Sequence, residues 1–249
     1  MKKIGISIGL VLLVVRPSWA GSNDLVFNPP PATYTDQMFH DFTKQAGLVI
    51  SYLPLSPAEP LGITGFDIGA EVTTARISHD APYWTAVTAN NSPPQYLPMV
   101  KVHAEKGLPF GVDVGIVYSA LPNSNVSLIG GEVKWAVVRG NLLFPAVALR
   151  ASYTDLLGVK DLDLQTFGAD LSVSKGFFGF FTPYAGVGEV WVQGKVQNLP
   201  STNLPISTQN IAQTKGFVGA KFSLFIVNFV AEADFAEIPL YSARLNIGF

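Results

Sequence analysis

The last nine residues alternate without a break. Tyr241, Ala243, Leu245, Ile247 and Phe249 fall on one side of an extended chain, and Ser242, Arg244, Asn246 and Gly248 on the other. The same two-residue period recurs upstream, and about ten such stretches can be counted. The first, about 62–74, puts Phe66, Ile68, Ala70 and Val72 on one face and Asp67 and Glu71 on the other. The second, 97–105, opposes Val100, Val102 and Ala104 to Lys101, His103 and Glu105. In the third (109–119) Phe110, Val112, Val114, Ile116 and Tyr118 oppose Asp113, and in the fourth (126–138) Ile129, Val133, Trp135 and Val137 oppose Glu132 and Lys134. Arg150 marks the polar face of the fifth (143–154) and Asp170 that of the sixth (162–174). In the seventh (180–192) Tyr184, Gly186, Gly188 and Val190 share one face, and Glu189 is assigned to the polar one. Lys221 marks the eighth (214–224), and Glu232 and Asp234 the ninth, which ends at Phe235.

Two stretches before the first strand break this pattern. Residues 34–46 carry Met38, Phe39, Phe42 and Ala46 at helical spacing, with Gly47 placed to end a short amphipathic helix. That helix could plug a barrel mouth, lie on the membrane interface or pack under a rim. Residues 51–60 hold Pro54, Pro57 and Pro60, which forbid regular strand pairing and predict an extended connector.

One apolar face and one polar face on every strand suit an antiparallel up-and-down sheet closed on itself, with lipid outside and charge inside. Short turns alternate with longer connections, the longest being 75–96 and 194–213. That parity places the first and last strands at one rim, with short periplasmic turns there and long outer loops opposite. The expected fold is therefore an all-β transmembrane barrel of about ten strands preceded by a short helix.

Composition agrees with this reading. Hydrophobic residues make up 48% and charged ones only 14%, yet beyond residue 20 no apolar run is long enough for a membrane helix, which needs about 20 residues. A net charge of -2 supplies no basic field, which sets nucleic-acid binding aside. Residues 1–20 combine Lys2 and Lys3, an apolar run from Ile4 to Val15 and a small-x-small site, Ser18-Trp19-Ala20; they read as a secretory signal cleaved after Ala20. There is no cysteine, so neither disulfides nor a lipoprotein anchor is available. The division expected is 1–20 signal peptide, 21–60 leader with helix as plug or rim, and 61–249 barrel.

The terminal alternation, with Tyr241, Leu245, Ile247 and a final Phe249, resembles the C-terminal assembly signal of bacterial outer-membrane β-barrel proteins. The resemblance implies residence in the outer membrane, contact with its lipid and lipopolysaccharide, insertion by the barrel assembly machinery, and a monomer. No metal-ligand spacing, Walker loop or Rossmann glycine pattern occurs, so no cofactor and no metal are expected.

Candidate chemistry collects on the inward face. Asp67, Glu71, Glu105, Asp113, Glu132, Asp170, Glu189, Glu232 and Asp234 face Lys101, Lys134, Arg150, Lys221 and Arg244, with His103 among them. Such a set either pairs to stabilise a filled interior or lines a narrow, slightly cation-preferring pore for a small solute. About ten strands are too few for a general porin. His79-Asp80 is the one loop pair suggestive of catalysis; the second acidic pair and facing Asp/His pair of ten-stranded omptin proteases are missing, so no enzyme is expected. Three readings stand: a structural or narrow-pore barrel, a surface-loop binding protein, and an outer-membrane hydrolase.

Overall fold

The computed structural model describes residues 24–26, 34–121, 124–197 and 206–249. Residues 1–20, read above as the signal, and most of the leader lie outside the described residues. Ten antiparallel strands close into one barrel in sequence order: β1 (Phe66–Arg76), β2 (Tyr96–Gly107), β3 (Val112–Ala120), β4 (Ser127–Arg139), β5 (Ala146–Leu157), β6 (Leu162–Ser174), β7 (Phe181–Val196), β8 (Gln209–Leu224), β9 (Val227–Phe235) and β10 (Leu240–Gly248). β1 pairs with β10, from Asp67 opposite Gly248 to Ala75 opposite Leu240, so no edge strand remains. Closure pairs the backbone within the sheet, which lipid demands.

Burial alternates as the sequence pattern requires. Ile68, Val72, Val102, Ile116, Ile129, Val133, Leu149, Leu171, Val218, Phe222, Leu245 and Ile247 are exposed on the outer wall. Their strand neighbours on the inner wall are mostly buried; near the short-turn end of β8 Gly219, Lys221 and Ser223 are half-buried. In β4 the ladder slips between Ala136 and Val138, so Val137 is an extra residue and both valines stay exposed. Turns 108–111, 140–145, 175–180 and 225–226 form a short-turn rim, which also carries the start of β1 and the end of β10. Opposite lie the connections 77–95, 121–126, 158–161, 197–208 and 236–239, here called the long-loop rim.

Helix α1 (Asp36–Ile50) begins at the long-loop rim. The Thr35 hydroxyl accepts from the Met38 amide at 3.2 Å as its N-cap. It runs three residues beyond Gly47, the residue expected to end it. Gly47 is interior because a Cβ there would strike the Val192 side chain of β7, so the glycine allows close approach to the wall and does not terminate the helix. From Ala46 to Ile50 every residue is buried, which marks a helix surrounded on all sides. It lies inside the barrel mouth. A short helix, α2 (Pro82–Thr85), folds over it from the β1–β2 connection, with Trp84 edge-on to Phe42 at 4.9 Å between ring centroids.

Candidate functional site: the filled lumen

The inner wall is divided along the barrel axis. Toward the long-loop rim it is apolar, built from Leu97, Met99, Val117, Leu128, Leu156, Leu164, Val190, Val192, Ile211 and Leu240, all buried. α1 fills this collar with Phe39, Phe42, Ala46, Val49 and Ile50. One buried amide ties the helix to the loop above it: the Gln45 carbonyl oxygen accepts from the Trp84 indole at 2.9 Å and the Ser78 amide at 3.1 Å, while its amide nitrogen donates to the hydroxyls of Ser78 (2.9 Å) and Tyr83 (3.1 Å). An apolar cavity of about 40 Å³ lies between helix and wall beside Trp84 and Met99; it is too small for anything larger than one or two waters.

The other half of the lumen is charged. Arg244 bridges two carboxylates, donating from Nε to Glu71 at 2.9 Å and from Nη1 to Glu105 at 3.0 Å. Lys101 sits 3.6 Å from Glu71. His103 Nε2 lies 2.6 Å from Asp67, to which Asn246 also donates. Arg150 pairs with Glu132 at 2.7 Å and with Asp170 at 3.8 Å, Lys134 with Asp113 at 3.0 Å, and Lys215 with Asp234 at 3.8 Å. These groups are buried, and pairing offsets a desolvation that costs several kcal/mol per ion.

Through this charged half runs the segment 51–61, extended and mostly buried. Its backbone has no strand to pair with, so wall side chains take that role. Glu232 accepts from the Leu55 amide at 3.1 Å, the Ser174 hydroxyl from the Ala58 amide at 3.1 Å, and Asp113 from the Leu61 amide at 3.1 Å. Lys215 donates to the Tyr52 carbonyl at 3.2 Å, and Lys134 to the carbonyls of Pro57 and Glu59, both at 3.3 Å. Arg150 donates to the Ser56 hydroxyl at 2.9 Å. Pro54, Pro57 and Pro60 have no N–H, which removes three donors that would otherwise need partners inside the barrel.

The contacts descend in order. Asp36 accepts from the Ser207 amide at 2.7 Å at the long-loop rim, Tyr52 meets Lys215 deeper in, and Leu61 meets Asp113 near the opposite rim. Residues 24–26 remain at the long-loop rim: Leu25 bridges Thr88, the Val26 amide donates to the Val87 carbonyl at 2.8 Å, and the Asn125 amide donates to Asp24 at 2.6 Å. The chain thus passes through the barrel lengthwise before it forms β1.

Of the residues expected in the lumen, Asp67, Glu71, Lys101, His103, Glu105, Asp113, Glu132, Lys134, Arg150, Asp170, Glu232, Asp234 and Arg244 are buried on the inner wall. Lys221 is partly exposed and lines a vestibule of about 590 Å³, of mixed polar and apolar lining, beneath the segment 55–61 and open at the short-turn rim. Glu189 is a correction. Tyr184, Val190 and Val192 point inward, so Glu189 faces out, where its carboxylate accepts from the Thr214 hydroxyl at 2.9 Å. The inward face of β7 is apolar and glycine-rich because α1 lies against Val192 and Gly194 and Phe217 lies across Gly186, and the rule that charged residues face the lumen fails there. Lys215 is buried on the inner wall but absent from the expected set. The signal is present in the sequence: the parity that turns Lys221 inward in the eighth strand (214–224) also turns Lys215 inward, six residues earlier. His79 Nε2 lies 3.3 Å from Asp80 on the exposed loop, and His40 Nδ1 lies 3.2 Å from Asp41 on α1. Each His pairs with the carboxylate next to it in sequence. Among the described residues no group of three or more His, Asp or Glu side chains is placed to hold a metal.

A closed antiparallel sheet with an apolar exterior and a charged, filled interior defines a small outer-membrane-type β-barrel. No protein-family model and no curated protein matches the chain. Among solved structures it is similar to the N-terminal β-barrel domain of Pseudomonas aeruginosa OprF (14% identity, 76% of this chain and 99% of that one, TM-score 0.38). It is also similar to Neisserial surface protein A, NspA (9% identity, 74% and 96%, TM-score 0.30). A third is Ail, the attachment invasion locus protein of Yersinia pestis, solved with the heparin analogue sucrose octasulfate (8% identity, 74% and 95%, TM-score 0.26).

Proposed function

We propose that this protein is an outer-membrane barrel held shut by its own N-terminal segment, a structural barrel with its long loops outside and no open pore in its resting state. One observation carries the reading: residues 36–61 run the length of the lumen and bond to the wall at successive depths, from Ser207 to Asp113. The charge set that a narrow pore would present to passing ions is instead engaged by opposite charges and by the backbone of the segment. Short turns at one rim and long connections at the other orient the long-loop rim outward.

Single-channel recording of the refolded intact protein in planar bilayers tests this. With insertion verified by heat-modifiable migration, the expected result is no steady conductance at moderate voltage. Steady, ohmic channels from the intact chain would overturn the proposal and return the buried acids to the role of a selectivity lining.

A further inference from the structure

The short-turn rim is apolar where chain reversals are ordinarily polar. The 140–145 turn exposes Leu142 at 97%, Leu143 at 83% and Phe144; the 175–180 turn exposes Phe177, Phe178 at 90% and Phe180; the 225–226 turn exposes Phe225 at 102% and Ile226; the 108–111 turn exposes Phe110 at 83%. These residues are not the aromatic girdle of a barrel, which sits on the strands. They stand at the tips of the turns, beyond the last ladder pairs.

The backbone at three of these tips gives independent evidence. Phe110, Phe178 and Phe225 have φ of 66°, 55° and 56°, the left-handed region in which a bulky side chain is disfavoured. Gly, Asn or Asp would serve a reversal there with less strain. The phenyl rings are therefore held outward against a local conformational cost. Two of the turns are also fixed to one another by Lys175, which donates to the carbonyls of Asn141 at 2.8 Å and Leu142 at 2.7 Å; within the 175–180 turn Phe178 stacks on Phe180 at 6.1 Å between centroids.

We infer that this crown of turns is immersed in the lipid leaflet at the short-turn rim, so that the bilayer covers the turns as well as the strands. The crown is continuous with the lipid-facing wall through Trp135, Val138, Val173, Phe222 and Leu224, all exposed. Cations accompany it. Lys106, Arg139 and Lys175 lie at the same rim; the Lys106 ammonium donates to the Ile63 and Gly65 carbonyls and the Lys175 ammonium to carbonyls of the 140–145 turn, so their charge stays at the rim while their stems cover apolar surface. Lipid is the occupant because the crown prolongs a surface that lipid already covers and brings cations to headgroup depth.

The test uses the absence of native cysteine. Single substitutions Phe178→Cys and Phe225→Cys are spin-labelled in the full chain, which is reconstituted in vesicles of phosphatidylethanolamine and phosphatidylglycerol. Val102→Cys on the outer wall supplies the lipid reference and Asn90→Cys on the β1–β2 loop the water reference. Power saturation should show the two tip labels colliding with oxygen in preference to a soluble nickel chelate, as the Val102 label does. Tip labels that relax with the nickel chelate as strongly as the Asn90 label would overturn the inference and direct the search to a soluble protein partner. If the Val102 label itself proved water-exposed, the membrane-spanning reading would fall instead, so the two failures are distinguishable.

Discussion

At the scale of single residues, the lumen is governed by the rule that a buried charge must be answered. Arg244 answers two carboxylates, Glu71 and Glu105, and its own burial is complete enough that no solvent substitutes for it. Arg244→Met would leave one carboxylate wholly and the other largely uncompensated. A destabilisation of about 3–5 kcal/mol is expected, measured by urea unfolding of the reconstituted barrel; a loss below about 1 kcal/mol, the range of exposed pairs, would show that the network is solvated. Asp36 is different because it sits at the exposed rim. The Ser207 amide, then its hydroxyl, donate to the Asp36 carboxylate and hold its pKa below the usual carboxylate range. A depressed folded pKa contributes stability that is present above the unfolded value, near 3.9, and is lost as pH falls through the lower folded one. Exchange protection of the Ser207 amide should therefore persist through the ordinary carboxylate titration and fall only at more acid pH. Asp36→Asn should abolish that dependence.

At the scale of elements, most of the barrel was legible in the sequence and the position of the plug was not. Strand alternation survives translation into structure because one face must meet lipid and the other must not. Phe66, Val102, Trp135 and Leu245 can be assigned a side from period alone. Strand limits differ where the period is blind: Pro109–Gly111 is a turn of 3₁₀ helix and not the start of β3, and β8 begins five residues before the expected Thr214. The helix is visible from the spacing of Phe39, Phe42 and Ala46, but its destination is encoded in the wall and not in the helix. Extending the strand parity toward the long-loop rim places Leu97, Met99, Leu128, Leu156, Leu164 and Ile211 inward. A charged or watery lumen has no use for them, and they are the signal for an apolar occupant. The proline-rich stretch misleads in the same way, since prolines that prevent pairing also reduce the number of donors needing partners in a buried segment.

The close fit of α1 against β7 makes a prediction of its own at this scale. Phe217 lies across Gly186 and α1 across Val192, so the inward side of β7 is shaped around its neighbours. Gly47→Leu would drive a side chain into Val192 at a place where the helix has wall on every side. Overpacking of this kind costs about 1–3 kcal/mol. Because the barrel ladders are untouched, hydrogen exchange should report faster opening of α1 amides while the strands keep their protection. Equal loss of protection in α1 and β7 would mean that plug and barrel unfold as one unit.

For the whole molecule, the path of the chain constrains how it can be assembled. The segment that precedes β1 enters at the rim opposite to β1, so the ten strands must close around it or it must be drawn through before the long loops settle. Charge in the lumen then serves the segment: Lys215, Lys134, Asp113 and Glu232 act on its backbone where a neighbouring strand would act in a sheet. At the long-loop rim the described part of the leader, residues 24–26, is held at Thr88 and Asn125 beside the entry of α1.

The most direct measurement is a cross-link between plug and wall. A Cβ on Gly194 of β7 would lie 3.3 Å from the Thr43 Cβ, slightly inside the usual separation for a disulfide of about 3.5–4.5 Å. In a chain with no other cysteine, Thr43→Cys with Gly194→Cys is predicted to form this disulfide nearly completely under mild oxidation of the folded, membrane-inserted barrel. Migration shifts before and after reduction would report it. A correctly folded barrel in which the two thiols stay free and separately reactive would place α1 outside the lumen and contradict the account.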